Sequence, residues 1–403
     1  MTPPPTTDAQ QTVRDAIVAY IDRREDAFID RLRKLVDTNS GLDNPVGRLD
    51  CLAQMDRFYR LLGFATERIE RPGDMVHLIA RRPAASSVGG TAPKVLLLGH
   101  LDTVFDSTSG FLSFQRVGEW ATGPGVGDMK GGLIVIQAAI EALARVRHLD
   151  DFDWLAVHNA DEEIQSPTSR ELIEKYAVDR DLALDFEVGR PSGALVRARA
   201  GVGRYFVRAH GHAAHSGMRH ADGANAIVAL AAVIAELAAL TDYERGTTVN
   251  VGTINGGTKR NIVPDDARCE VDVRIRDAAE GERIDAAVRA ICARQDVPGT
   301  WVEVMGGIGR PPWRPFAGSE HLTRLVLATA EELGVHLDAE ETGGGSDANF
   351  TAALGIPTVD GLGPIGEDVH TDRERIRLYS VAERAKLVAC SLLAWTPPSA
   401  ARA

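Results

Sequence analysis

The chain has 403 residues, 44% of them hydrophobic and 25% charged, an ordinary globular balance with enough apolar material for two packed domains. Its formal net charge of −12 offers no basic face for a phosphate backbone, which argues against a nucleic-acid partner. No basic start leads into an apolar core, and no uncharged apolar run approaches ~18 residues, so neither a secretory signal nor a membrane span is expected.

After a Pro/Thr-rich leader, residues 8–36 read as one long helix, with Ile17, Ile21, Phe28, Leu32 and Leu35 at helical spacing. Residues 48–62 repeat that signal and stop at Gly63. Short apolar runs at 76–80 and 94–99, separated by turn residues, have the character of buried strands. A strongly apolar helix follows at 131–146, then strands at 154–157 and 182–188. Alternation of this kind predicts an α/β layer with a mostly parallel sheet and flanking helices. From about Leu195 the texture changes. Strands are expected at 197–210, 247–254, 267–275 and 301–305, with helices at 223–240 and 280–293, the order of a small ferredoxin-like α+β unit. Chemistry-bearing motifs resume at Gly343, so this unit is expected as an insertion: a catalytic domain over 1–195 and 311–403, interrupted by a domain over 196–310. Cys51, Cys269, Cys292 and Cys390 are scattered, form no CxxC, and read as reduced, packed thiols of a cytoplasmic protein.

Five acidic or imidazole clusters sit where strands end or loops begin. In Gly99-His100-Leu101-Asp102, positions i and i+2 of a strand share a face, which suits a metal-binding imidazole oriented by a carboxylate. Alone, this pair is also what a surface pair looks like. The Gly-rich run 123–132 can present one carboxylate, Asp128, at an unusual angle. It lacks GxxxxGK[ST] and GxGxxG, so a phosphate loop is disfavoured and Asp128 is favoured as a ligand. Asn159-Ala160-Asp161-Glu162-Glu163 places three carboxylates in a row, costly if buried without a cation but ordinary on a solvated turn. Glu187 and His370 follow, each unremarkable by itself. Together, His100, Asp128, Glu163, Glu187 and His370 supply two imidazoles and three carboxylates, with Glu162 beside a ligand. Zinc accepts N and O donors, and two ions can share one carboxylate.

The order and spacing of these motifs, from about residue 90 to about 375, resemble the M20 metallopeptidase family, most closely its glutamate carboxypeptidase (carboxypeptidase G2) type. Acetylornithine deacetylase and succinyl-diaminopimelate desuccinylase belong to the same family. The resemblance implies a dinuclear zinc hydrolase with two Zn²⁺ per subunit, cobalt or manganese being possible substitutes. His100 and Glu187 would hold one ion and Glu163 and His370 the other, with Asp128 bridging. Asp102 would orient His100, and Glu162 would be the general base that activates water and returns the proton to the leaving nitrogen. A cis peptide would follow Asp128. The inserted domain resembles the family's lid and dimerisation domain, which implies a homodimer. His215, in Gly211-His212-Ala213-Ala214-His215-Ser216-Gly217, would reach the partner subunit's active site and stabilise the oxyanion. The other histidines match no motif.

For substrate binding, Asn261 resembles the lid asparagine, Arg310 the Arg-Pro element of the glutamate carboxypeptidase type, and Gly344 lies in the glycine loop 343–347. Arg274 ends a strand beside them. Planar guanidinium forks suit a carboxylate, although either arginine could be an ordinary surface residue. The expected activity is hydrolysis of an amide or peptide bond in a small substrate, releasing glutamate or a related N-acyl amino acid's free-carboxylate product. The alternative is a deacylase of the acetylornithine or desuccinylase type. A non-catalytic binding protein on this fold would be free to lose a ligand or the base, yet all are present.

Overall fold

A computed structural model describes residues 8–85 and 92–396, which leaves the leader up to residue 7 outside the described chain. The chain folds as two compact units. One comprises the chain up to Arg197, Pro315–Glu341 and the chain from Ser346 onward; the other comprises Ala198–Arg314 with Thr342–Gly345.

In the first unit, five labelled strands form a sheet: β1 (Ala65–Arg71), β2 (Met75–Arg82), β3 (Lys94–His100), β4 (Asp153–Asn159) and β5 (Leu182–Asp185). A sixth, short strand at Thr358–Val359 completes the order β1-β2-β4-β3-β5-(Thr358–Val359). Strand β3 runs parallel to β4 and β5, and Thr358–Val359 parallel to β5. Strands β1 and β2 are antiparallel additions at one edge.

The central strands read as unbroken apolar runs because both faces are covered. Val95 and Leu97 face a core built with α1 (Asp8–Asp22), α2 (Glu25–Val36), α3 (Pro45–Leu61), α4 (Gly132–Arg145) and the helix Tyr379–Ala394. Leu96 and Leu98 face a second core with Ile173 and Ala177 of α5 (Arg170–Ala177) and with Phe350.

Residues 8–36 are two helices, not one. Arg24 leaves helical geometry at φ −118°, ψ 6°, and Glu25 and Asp26 then occupy the first turn of α2, where carboxylates meet the positive end of the helix dipole. The break lets Ile17 and Ile21 on α1 and Phe28, Leu32 and Leu35 on α2 all bury against one core. Helix α3 begins before its apolar stripe, at Pro45, with the Asn44 side chain accepting from Gly47 N at 3.0 Å. Strand β1 carries no apolar alternation in ATERIER, because as an edge strand it is mostly exposed.

In the second unit, β6 (Gly201–His210), α6 (Ala226–Ala238), β7 (Thr248–Gly256), β8 (Asp266–Ile275), α7 (Ala278–Cys292) and β9 (Trp301–Arg310) follow one another. Their antiparallel order β7-β8-β6-β9 is ferredoxin-like. Strand β9 is longer than its apolar run because Gly306 and Gly307 continue the pairing without adding hydrophobicity. Burial alternates along β6 and β8: Tyr205, Val207, Val271 and Val273 pack under Leu230 and Val233 of α6 and Ile284 and Val288 of α7.

Buried polar groups brace the middle of the first sheet. His158 on β4 donates from Nδ1 to the Gly99 carbonyl at 2.9 Å, so its Nε2 accepts from the Tyr59 hydroxyl, also at 2.9 Å. This anchors the residue next to His100. Burial pushes the His158 imidazole down to about 4. Between the unfolded value near 6.5 and about 4, the unfolded chain binds this proton and the folded chain does not, so stability falls as pH drops through that window. In urea unfolding between pH 7 and pH 4.5, His158→Gln is expected to show a shallower loss of stability than the parent, by up to about 1.4 kcal/mol per pH unit.

Candidate metal centre

The carboxyl ends of the adjacent parallel strands β4, β3 and β5 carry most of the chemistry, as open α/β sheets generally arrange it. His100 is the last residue of β3, Glu162 and Glu163 form a tight turn just past β4, and Glu187 lies two residues past β5. Asp128 and His370 come from loops. Gly125, at φ 71°, turns the chain into the segment Val126–Gly131, where Asp128 and Met129 depart from helical geometry. The Asp128–Met129 peptide is cis, as the resemblance implies. His370 lies at φ 63° between the short strands Gly366–Glu367 and Arg375–Arg377.

These residues, 270 positions apart from first to last, meet in space. His100 Nε2 is 3.0 Å from Asp128 Oδ1 and 3.8 Å from Glu187 Oε1. His370 Nε2 is 3.1 Å from Asp128 Oδ2 and 3.4 Å from Glu163 Oε2. Two donor groups result, His100–Asp128–Glu187 and Asp128–Glu163–His370, each with its ligand atoms within 4.8 Å of one another. They share Asp128, one oxygen facing each imidazole.

Electrostatics mark this cluster as built for cations. Burial and the neighbouring Asp128 charge push the Glu163 carboxyl up to about 8, and the same two causes raise Glu187 well above the carboxylate range. Hydrogen bonds to Asp128 and Glu163 lift His370 to about 11. Burial works against a charged His100, yet its contacts with Asp102 and Asp128 raise it. Glu163 Oε1 is buried and has no hydrogen-bond partner. Two imidazole nitrogens and three carboxylates, one of them with an orphaned buried oxygen, fit a pair of divalent metal ions, whose charge would hold every carboxylate ionised and both imidazoles neutral.

Asp102 meets the His100 ring with two of its groups. His100 Nδ1 donates to the Asp102 backbone carbonyl at 3.0 Å, with the carboxylate farther off at 3.5 Å. The carboxylate also accepts from the backbone N–H groups of Glu162, at 3.3 Å, and Glu163, at 3.0 Å. One residue therefore ties the imidazole to the turn bearing both glutamates.

Sequence reasoning passed over the support beneath that turn. Asp161 is fully buried and accepts from Thr168 N and Oγ1, both at 2.7 Å, and from Ser169 Oγ at 2.5 Å. His77 Nδ1 accepts from Ala160 N at 3.2 Å while Nε2 donates to Thr168 Oγ1 at 2.9 Å. No local pattern distinguishes Asp161 from the glutamates beside it; its hydrogen bonds to Thr168 and Ser169 do.

The remaining expected residues belong to the second unit. His215 and Asn261 lie together: His215 pairs with Ile262, and Ser216 N donates to the Asn261 carbonyl at 3.0 Å. His215 Nδ1 accepts from Gly217 N and Met218 N at 3.1 and 3.2 Å, which puts the neutral ring's proton on Nε2. Nearby, Ser216, His220, Asn225, Lys259 and Arg260 line an open cavity of about 550 Å³. Arg274 closes a fork on Asp272, at 2.8 and 2.9 Å, and reaches the Gly343 carbonyl at 3.3 Å. The Gly344 carbonyl accepts from Arg199 at 3.2 Å, and Arg310 is buried.

Two imidazoles and two glutamates around one shared aspartate, gathered from strand ends and two loops, have the donor chemistry of a metal-dependent hydrolase. Comparison with known proteins agrees. Residues 197–300 match the peptidase dimerisation domain. Carboxypeptidase G2 from Pseudomonas sp. (strain RS-16) is 30% identical over 376 residues, covering 90% of this chain and 88% of that protein. A succinyl-diaminopimelate desuccinylase from Bordetella petrii is 29% identical, covering 83% and 89%. The crystal structure of an M20 family metallo-carboxypeptidase from Sulfolobus solfataricus superposes with a TM-score of 0.75 at 18% identity, covering 91% of this chain and 98% of that one. The chain belongs to the M20 family of metallopeptidases and related hydrolases, and its activity is metal-dependent hydrolysis of an amide or peptide bond. Among the described residues, no helix is long and apolar enough to cross a membrane.

Close packing holds the Glu187 segment. A methyl group at Gly132 would sit 1.9 Å from the Phe186 carbonyl oxygen. Gly132→Ala is therefore expected to displace residues 186–187, lower stability by about 1–3 kcal/mol, and weaken metal uptake. Thermal unfolding and calorimetric metal titration of the variant check this.

Proposed function

We propose that the protein is a zinc-dependent hydrolase that releases an amino acid with a free carboxylate, glutamate or a related N-acyl amino acid's product, from a small amide or peptide. The observation that carries this reading is the sharing of Asp128 between two donor groups beside Glu162. His100 and Glu187 would hold one ion, Glu163 and His370 the other, and Asp128 both; N and O donors of this kind suit zinc, and cobalt or manganese can substitute. When bound, such an ion pair acidifies water and polarises the amide carbonyl.

Each side chain then has a task. Glu162 takes a proton from the attacking water and delivers it to the leaving nitrogen. Asp102, through the backbone N–H groups of Glu162 and Glu163, keeps that base in register with the imidazole of His100. His215, with Nδ1 occupied by two backbone donors, offers Nε2–H to the developing oxyanion. Asn261, Arg310, Arg274 and the loop at Gly344 contact the substrate, the arginines at its carboxylate.

A homodimer is part of this reading, each protomer supplying His215 to its partner. Its supports are the dimerisation-domain match and the exposed Ile227, Val228 and Ile254 on α6 and β7. Four free, buried cysteines suit a reducing compartment, the cytoplasm.

One observation favours a second reading, a deacylase of the acetylornithine or desuccinylase type. Arg274 is already engaged by Asp272, which would compete with a substrate carboxylate. Comparing kcat/KM for N-acyl-glutamates, C-terminal glutamate dipeptides and N-acetylornithine separates the two; preference for N-acetylornithine would displace the glutamate assignment. Glu162→Gln is expected to lower kcat at least about 10²–10⁴-fold while still binding two zinc ions. Near-normal turnover by that variant would remove Glu162 from the mechanism.

A further inference from the structure

Glu374 lies four residues after His370 and is fully buried. Its Oε1 accepts from the backbone N–H of Gly127 at 2.8 Å and from that of Asp128 at 3.0 Å. Oε2 is buried without a hydrogen-bond partner. The backbone of the same residue is fixed twice: its N–H donates to the Thr371 carbonyl at 3.0 Å, and its carbonyl accepts from Thr122 Oγ1 at 2.7 Å.

Both N–H groups lie in the first turn of the segment Val126–Gly131, where a helix offers its own amides no acceptor. Buried amides without a partner are costly, so the conformation that turns the Asp128 side chain toward both imidazoles depends on an acceptor arriving from elsewhere. That acceptor comes from the turn that carries His370. Glu374 thus links the backbones of the two residues whose side chains meet at 3.1 Å. Ordinary packing does not account for a buried carboxylate so close to Asp128; a leucine would fill the space without bringing a further charge into the cluster.

We propose that Glu374 is a positioning residue for the metal centre, a strut that sets where the shared aspartate stands relative to His370 by accepting the Gly127 and Asp128 amides. It touches neither substrate nor metal. The inference rests on the two-ion reading above, and its consequences are specific to hydrogen-bond acceptance at one position. Glutamine keeps an oxygen there. Aspartate keeps the charge but withdraws the oxygen by one methylene, and leucine keeps the volume alone.

The test is zinc binding to the metal-free full chain, measured by competition with a chromophoric chelator, alongside the thermal midpoint of each metal-free variant. Glu374→Leu and Glu374→Asp are expected to bind zinc about 10–100-fold more weakly than the parent, with Glu374→Gln within about threefold of it. A residue needed only for folding would lower the metal-free midpoint without this ordering of affinities. If Glu374→Leu does not fold, Glu374→Asp against Glu374→Gln decides alone. Parent-like affinity in Glu374→Asp, or a Glu374→Gln as weak as Glu374→Asp, overturns the proposal. A parent protein that fails to take up two zinc ions overturns the two-ion reading itself, whatever the variants do.

Discussion

Three carboxylates share a buried site with only two imidazoles to offset them. Asp128 faces both rings, and its charge together with burial drives Glu163 and Glu187 away from ionisation. Carboxylates held this way repel one another, and the rest of the first unit can be understood as what keeps them in place. Strand ends fix His100 and the glutamate turns. Backbone amides fix Asp102 and Glu374. Glycines let segments approach where a side chain would collide with main chain, as at Gly132. Divalent cations would turn this repulsion into binding, because their charge exceeds that of the protons they displace.

The parallel part of the sheet explains why so few elements suffice. Strands β4, β3 and β5 are neighbours running the same way, so their carboxyl ends open onto one edge. His100 at the end of its strand, Glu187 two positions beyond its own and Glu163 four positions beyond its own reach the same cluster. The antiparallel additions β1 and β2 contribute elsewhere: His77 on β2 braces Ala160 and Thr168, and so the turn that carries Glu162. The second unit is built on different economics of burial, one face covered by α6 and α7 and the other open. Exposed apolar residues of the sheet, Phe206 and Met305 among them, lie on that open face.

Much of this was legible residue by residue. The proposed ligands stand at boundaries where an apolar run gives way to His, Asp or Glu, and the Gly-rich run around Asp128 announces an irregular backbone. Apolar period located the buried strands and the amphipathic helices because burial is what makes them apolar. Where burial is weak the signal disappears, as in the exposed edge strand ATERIER. Where it is continuous across a change of direction it misleads: Ile21 and Phe28 stand seven positions apart, which fits one helix as well as two, and only the pair Glu25–Asp26 hints at a new start.

What the sequence determined by itself is the inventory: which donors exist, in what order, and on which kind of element each lies, because side-chain chemistry and local period are properties of a few consecutive residues. Only the tertiary structure decided how each donor is held. Asp102 reaches His100 most closely through its carbonyl, Asp161 bonds Thr168 and Ser169 while Glu163 turns toward His370, and Glu374 supports a residue 246 positions away. Hydrogen-bond partners distant in the chain are selected by which elements pack together, and no local pattern carries that information.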